Sequence, residues 1–323
     1  MLSIKKYWGI IRRIRFLHVI NNLFHYSDLK KNKYAYRKYG LQKSIIRSIA
    51  HRDFKLALAE KPWLDVENAV ERIKNDGRLN QFTPEIQGQL LKWPQKGYAI
   101  LDEFVSSQLI DEVNKDLEHL LKTGEIQTDY TNSRVMNLYT KSEAVKKIAT
   151  NKELLKVLSF ILGKKVVPFQ TINFTHGSQQ KTHSDSIHMT THPKGYLIAI
   201  WIALEDLDPG SGLLHYYPGS HKLPYVMGED FKNSNNKIFI GEDFYENYEI
   251  KIAETIEQKN LKKEIFPAKK GDLLIWHANL LHGGEPRTNM NATRKSLVVH
   301  YFCEGDVINY HEITQRPAII KEF

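Results

Sequence analysis

Five runs between Val166 and Phe302 are rich in β-branched, aromatic and aliphatic residues: Val166–Phe174, Tyr196–Leu204, Leu213–Tyr217, Asp272–His277 and Lys295–Phe302. Asp208-Pro209-Gly210-Ser211-Gly212 and Pro218-Gly219-Ser220 punctuate them with turn chemistry. Short strands cut by such turns, following a helical block, predict an α+β chain with a mainly β core. The expected architecture is a double-stranded β-helix, a jelly-roll barrel with helices packed on one side.

Upstream of Lys164 the period changes. Gly97 to Val105 reads as a strand, and Ser106-Ser107 then caps an amphipathic helix through Leu121 with Ile110, Val113, Leu117 and Leu120 on one face. A second helix is expected over Ser142 to Leu162. Residues 1–93 read as helical segments without period-2 strands or internal repeats, so the expected organisation is an N-terminal extension, 1–93, and a barrel domain, 94–323. Residues 226–264 form a mostly polar insert between two strands, read either as a lid or as a solvated excursion.

Charge separates the same two parts. The net charge is +9, yet residues 1–55 hold 14 Lys and Arg against 2 Asp and Glu, leaving the remainder slightly acidic. Ile4, Trp8, Ile11 and Ile14 recur at helical spacing with Lys5, Lys6, Arg12 and Arg13 mostly opposite. Such a helix either packs its stripe on the rest of the protein or lies on an anionic membrane surface, so peripheral membrane contact through residues 1–55 is one expectation. Lysines and tyrosines over Lys31–Tyr39 match no nucleic-acid recognition module. No stretch approaches the roughly 20 apolar residues of a membrane span, and charges interrupt any signal-peptide core. The lone Cys303 excludes a disulfide framework within the chain and cysteine-clustered metal sites, and with them makes the cytoplasm the expected compartment.

His183-Ser184-Asp185 lies about a hundred residues before His282-Gly283-Gly284. Positions i and i+2 of an extended segment share a face, so His183 and Asp185 can converge. With His282 they compose two imidazoles and a carboxylate, the facial set that holds Fe(II) and leaves positions open for oxygen chemistry. Gly283-Gly284 reads as a turn leaving the barrel rim. Arg294, opening the next strand, would point into the barrel, where a buried guanidinium needs an anionic partner. His277 and Arg287 compete on sequence grounds for the roles of His282 and Arg294. His188 and His192, close after the H-x-D segment, read either as facing the substrate or as surface histidines, and His221, in a turn motif, reads as structural.

Taken in order, His183-Ser184-Asp185, Trp201–Asp206, Gly212-Leu213-Leu214, Pro218–Lys222, Gly271–His277, His282-Gly283 and Arg294 resemble the phytanoyl-CoA dioxygenase family over about residues 94–305. The resemblance implies a non-haem Fe(II)- and 2-oxoglutarate-dependent dioxygenase using O2, with ascorbate as a possible reductant. By position it implies that His183, Asp185 and His282 bind iron and Arg294 binds the distal carboxylate of 2-oxoglutarate. Trp201, Gln170 and Asn173 would lie near the cosubstrate or substrate. Relatives often carry a hydroxyl residue two positions after the distal histidine, where this chain has Gly284.

The implied reaction is hydroxylation of an aliphatic carbon with release of succinate and CO2. Retention of Asp185 favours it over halogenation. The substrate class stays open among small molecules, acyl compounds and envelope-glycan or lipid-linked precursors. Two rivals stand beside it: a non-catalytic barrel that acts as a scaffold through its basic arm, which has no need to keep His183, Asp185, His282 and Arg294 together, and a zinc enzyme, which uses the same ligands but gives Arg294 no anionic partner.

Overall fold

The computed structural model describes residues 13–54, 60–129, 131–236, 238–320 and 323. Most of the amphipathic helix expected at the N-terminus therefore lies outside the described residues. The helices used below are α1 (Arg15–Phe24), α2 (Asn32–Lys38), α3 (Ala69–Asn75), α4 (Pro84–Lys96), α5 (Ser107–Thr123), α6 (Glu143–Ala149), α7 (Lys152–Leu162) and α8 (Phe244–Gln258).

The barrel consists of antiparallel sheets. The largest contains, in spatial order, β1 (Tyr98–Leu101), β8 (Leu273–His277), β5 (Leu197–Ala203), β10 (Ser296–Cys303), β3 (Val166–Phe174) and β2 (Arg134–Met136). A smaller sheet orders β7 (Glu264–Phe266), β6 (Leu214–Tyr216) and β9 (His282–Gly284), and a third orders β12 (Arg316–Pro317), β11 (Ile308–His311) and β4 (Thr190–His192). This is the jelly-roll core with helices on one side.

Period-2 alternation divides the large sheet between two cores. Ile198, Ile200 and Ile202, with Leu297, Val299 and Tyr301, face the helices and pack with Ile110, Val113 and Leu158. Ala199, Trp201, Ala203 and Val298 face inward against Leu214, Tyr216 and Phe266 of the smaller sheet. Both faces of the sheet are covered, which is why its strands read as continuous apolar runs.

α5 begins where Ser106 accepts a hydrogen bond from the Leu109 N–H and ends at Gly124 in the left-handed region. The helix expected over Ser142–Leu162 is in fact two, α6 and α7. Asn151 interrupts the apolar periodicity by leaving the helical conformation, with ψ at 124°, and accepting the Leu154 N–H at 3.0 Å.

Residues 64–93 share the barrel's main core: Ile73 of α3 and Ile86, Leu90 and Trp93 of α4 pack in one cluster with Ile198 and Leu297. Leu29, Tyr36, Ile45, Ile49 and Phe54 form a separate cluster on Ile308 and Tyr310 of β11. The insert contributes α8, whose Phe244, Tyr248 and Ile252 pack on Ile187 and Leu281.

At the seam between residues 45–54 and β11, Glu312 is buried and accepts the His51 N–H at 2.8 Å. Burial pushes its carboxyl up to about 7. The fold therefore holds this proton where the unfolded chain has released it, so stability from this group is full below its ordinary value of 4.5 and is lost as pH rises through 7. Nearby His51 and His192, both pushed down to about 4 by burial, act in the opposite sense. Glu312→Gln is thus expected to gain stability relative to wild type as pH is raised from 5 to 8 in paired denaturant melts. A constant difference across that range would refute the assignment.

Candidate metal and cosubstrate site

The two histidines meet through the backbone. His183 and His282 exchange N–H···O=C bonds of 2.9 Å in each direction, an antiparallel pair across 99 positions of chain. Their rings lie 4.5 Å apart between centroids. Ser184 is extended, and the chain turns into a short 3-10 helix at Asp185, which returns the carboxylate to the face of His183. The Asp185 Oδ1 atom stands 3.8 Å from His183 Nε2 and 3.7 Å from His282 Nε2. All three ligand atoms lie within 4.8 Å of one another.

Neighbouring groups fix the donor atoms. His183 Nδ1 donates to the Lys181 carbonyl and His282 Nδ1 to the Leu280 carbonyl, each at 2.9 Å. With Nδ1 protonated, each ring presents the lone pair of Nε2. Burial, with His282 and His188 close by, drives His183 well below the usual imidazole range and keeps it neutral. Burial pushes Asp185 up, but the pull of His282, His300 and His183 outweighs it and leaves the carboxyl well below the usual range. Trp276 Nε1 donates to Asp185 Oδ2 at 2.7 Å. Tyr248 of α8 accepts the Ser184 N–H at 2.9 Å, so the insert braces the ligand segment.

These groups line a cavity of about 380 Å³. Arg294, Trp201 and Gln170 line it too. Asn173 does not: three residues from Gln170, it falls on the opposite face of β3, opposite Leu297 and Val135 in the helix-side core. Its amide is fully buried without a hydrogen-bond partner, and the structure offers no account of that.

Arg294 is 2 % exposed. Among the described residues it has no acidic partner, its Nε is unsatisfied, and its guanidinium rests 5.6 Å from Phe174 and 5.8 Å from Trp201. Burial, then the charge of Arg134, pulls it down to about 10. The buried indole N–H of Trp201 is likewise unsatisfied. Donors without acceptors on one wall, and three converging ligand atoms on another, fit a dicarboxylate chelating a hard or borderline metal ion.

The rivals separate cleanly. His277 turns away from the cavity, its Nε2 3.0 Å from Asp65. Arg287 bonds the Met290 and Ala292 carbonyls of its own loop. Gly283 and Gly284 form strand β9, not a turn. A Cβ on Gly283 would stand 2.8 Å from the Gln180 carbonyl and 2.9 Å from the His215 ring, so glycine is required by close backbone approach.

Two cavity residues were missed. Arg134, on edge strand β2, has its guanidinium 5.4 Å from the Phe174 ring. His300 stands 3.5 Å from Asp185 Oδ2, and its inward position follows from that of Val298 two residues earlier. His188, for which a substrate-facing and a surface place were both open, is buried in the cavity wall and pushed down to about 4 by burial.

A family model described as Phytanoyl-CoA dioxygenase (PhyH) matches residues 93–296. A phytanoyl-CoA dioxygenase domain-containing protein 1 homolog of Dictyostelium discoideum is 33% identical over 133 residues, 40% of this chain and 42% of that protein. The chain thus aligns with about two fifths of that relative's length. Among solved structures, the non-heme alpha ketoglutarate dependent carbocyclase SnoK from nogalamycin biosynthesis superposes with a TM-score of 0.55 at 15% identity, covering 75% of this chain and 89% of that one. EctD from S. alaskensis, solved with 2-oxoglutarate and 5-hydroxyectoine, gives 0.51 at 18% identity, with 71% and 78% covered. At these identities the structural likeness speaks to the fold.

Proposed function

Since the chain belongs to the phytanoyl-CoA dioxygenase family, we propose that it is a non-haem Fe(II)- and 2-oxoglutarate-dependent dioxygenase that hydroxylates an aliphatic carbon of a small-molecule, acyl or envelope-glycan or lipid-linked substrate. The observation that carries this reading is Arg294, a buried cation without an acidic partner among the described residues, on the same cavity as His183, Asp185 and His282. A zinc hydrolase or a scaffold has no use for that charge.

In this reading His183 Nε2, His282 Nε2 and a carboxylate oxygen of Asp185 hold the iron. When bound, the metal supplies the redox chemistry that couples decarboxylation of 2-oxoglutarate by O2 to oxygen insertion at a substrate C–H bond. Arg294 holds the distal carboxylate of the cosubstrate, with the Trp201 N–H beside it. Trp276 and His300 keep the Asp185 carboxylate oriented and ionised. Ile172, Phe174 and Val298 wall the cavity with apolar surface that limits water.

The hydroxyl that relatives carry two residues after the distal histidine reaches this site by another route. A Cβ on Gly284 would stand 2.9 Å from Ser178 Oγ, and Ser178 lines the cavity. Ser178 therefore takes over the contact to 2-oxoglutarate. Loss of one neutral hydrogen bond, about 0.5–1.5 kcal/mol, predicts that Ser178→Ala raises the half-saturating 2-oxoglutarate concentration by roughly 2- to 10-fold with kcat little changed. An unaltered KM in this variant would exclude the role.

The proposed activity is tested by loading the full chain with Fe(II) and measuring succinate formed from 2-oxoglutarate under O2. Wild type should form succinate without added substrate, and His183→Ala should not. Succinate at the protein-free rate in iron-loaded wild type would remove the reading.

A further inference from the structure

Helix α1 is built inside out. A helix on a soluble protein ordinarily turns its apolar stripe to the core and its polar face to water. Here Arg15 and Asn22 are the buried residues. The Arg15 guanidinium bonds the Gln315 side chain, and Asn22 Nδ2 donates to the Ile46 carbonyl at 2.9 Å. Phe16, Leu23 and Phe24 point outward, 66, 54 and 83 % exposed, with Leu17 beside them.

The patch continues beyond the helix. The backbone of residues 13–15 pairs with Ile238 and Ile240 through 3.0 Å bonds, and this sets exposed Ile238 and Phe239 next to the start of α1. At its other end come exposed Tyr26 and Tyr34. Lys33 Nζ lies 5.3 Å from the Tyr26 ring, and Lys30 and Lys31 are exposed nearby. Of the 7 Lys and Arg in residues 13–38, Arg15 is buried and Arg13 and Lys38 pair with Glu242 and Asp306, which leaves Lys30, Lys31, Lys33 and Arg37 around the stripe against a single acid, Asp28. A contiguous apolar and aromatic surface of this kind marks an interaction site, and its basic surroundings select an anionic partner.

We propose that the outward stripe of α1, with Ile238 and Phe239, seats this protein on an anionic lipid bilayer, the surrounding lysines and arginines meeting the headgroups. Aromatic and aliphatic side chains facing one way with basic residues at their margin are the composition of a helix lying in the membrane interface. Among the described residues no helix is long and apolar enough to cross a membrane, so the contact is a shallow one. Gln315, which anchors Arg15, is flanked by Thr314 and Arg316, both on the cavity wall. Docking through α1 therefore turns that side of the cavity toward the bilayer, with α1 between them. Taken together with the proposed dioxygenase activity, on which this extension rests, it favours an acyl or lipid-linked substrate drawn from the membrane surface.

Co-sedimentation of the full chain with vesicles tests the docking directly. Wild type should bind vesicles of equal parts phosphatidylglycerol and phosphatidylcholine, bind pure phosphatidylcholine at least tenfold less well, and weaken as salt is raised. Phe16→Ser/Phe24→Ser, both at exposed positions, should lose at least tenfold in vesicle affinity with an unchanged circular dichroism spectrum and unchanged succinate formation. Lys30→Glu/Lys33→Glu should lose affinity for the anionic vesicles. Equal binding to both vesicle types, or full binding by the Phe variant, would overturn the proposal. So would a concentration-dependent dimer that the Phe variant abolishes, which would assign the stripe to a second copy of the chain. Vesicle binding without any succinate in wild type would sink the dioxygenase reading and leave the docking intact.

Discussion

Replacing Arg294 with methionine is expected to leave the apoprotein at least as stable as wild type while removing its response to 2-oxoglutarate. The guanidinium is 2 % exposed, and among the described residues nothing acidic compensates its lost hydration. Burial alone lowers its proton affinity, and Arg134 lowers it further. Contact with the faces of Phe174 and Trp201 offsets only part of that cost. A methionine of similar volume removes the stranded charge, and such exchanges of buried ionic groups for apolar ones are often neutral or stabilising by about 1–4 kcal/mol. In the wild-type protein a ligand carboxylate satisfies the same charge by paired charge-assisted hydrogen bonds. Truncating one partner of a buried charge pair costs roughly 2–5 kcal/mol, which is about 30- to several-thousandfold in affinity. Thermal melts with and without 2-oxoglutarate should therefore show a Tm shift in wild type and none in Arg294→Met. Arg294→Lys should recover little, because an ammonium lacks the planar fork. A lower apo Tm in Arg294→Met, with the 2-oxoglutarate shift retained, would assign Arg294 to structure.

Asp185 carries the second large effect. Its carboxylate lies between His183, His282 and His300 and accepts from Trp276. Asp185→Asn keeps the shape and can still accept the Trp276 N–H, but it removes the one anionic ligand. Iron affinity should fall by more than about 100-fold, beyond the 10- to 100-fold typical of losing an outer-shell partner, and succinate formation should fall to the rate without protein. The fold should survive at neutral pH. In wild type the depressed folded pKa stabilises the protein above the ordinary aspartate range, and this contribution is lost as pH falls through the folded value. Acid denaturation of wild type should therefore be steeper than that of the asparagine variant. An asparagine variant that retains stoichiometric iron would exclude Asp185 as a ligand.

What could be read from the sequence was whatever a single segment encodes. Strand β3 spans Val166–Phe174 as expected, because its apolar run is unbroken and bounded on both sides. The H-x-D segment, His282 and Arg294 lie in separate segments and were legible as a set through the family resemblance. The parity of β3 was legible as well: Gln170 and Asn173 are three residues apart and cannot share a strand face. The break at Asn151 was written as a capping residue, but the stronger apolar periodicity of Ser142–Leu162 masked it. Other features had no local signal. Gly283 is fixed by the Gln180 carbonyl and the His215 ring, contacts made through distant chain. Arg134 sits on a three-residue edge strand whose place beside β3 is decided by sheet pairing. Helix α1 misleads period-based reading altogether, since its apolar stripe is the side that faces out.

The most direct test of the account is an anaerobic titration of 2-oxoglutarate into the Fe(II)-loaded full chain, followed by visible absorption. The account predicts a saturable charge-transfer band from chelation of the 2-oxo acid, absent in His183→Ala and displaced to much higher 2-oxoglutarate in Arg294→Met. Folded, iron-loaded wild type that shows no band, or a band whose midpoint is indifferent to Arg294, would contradict it.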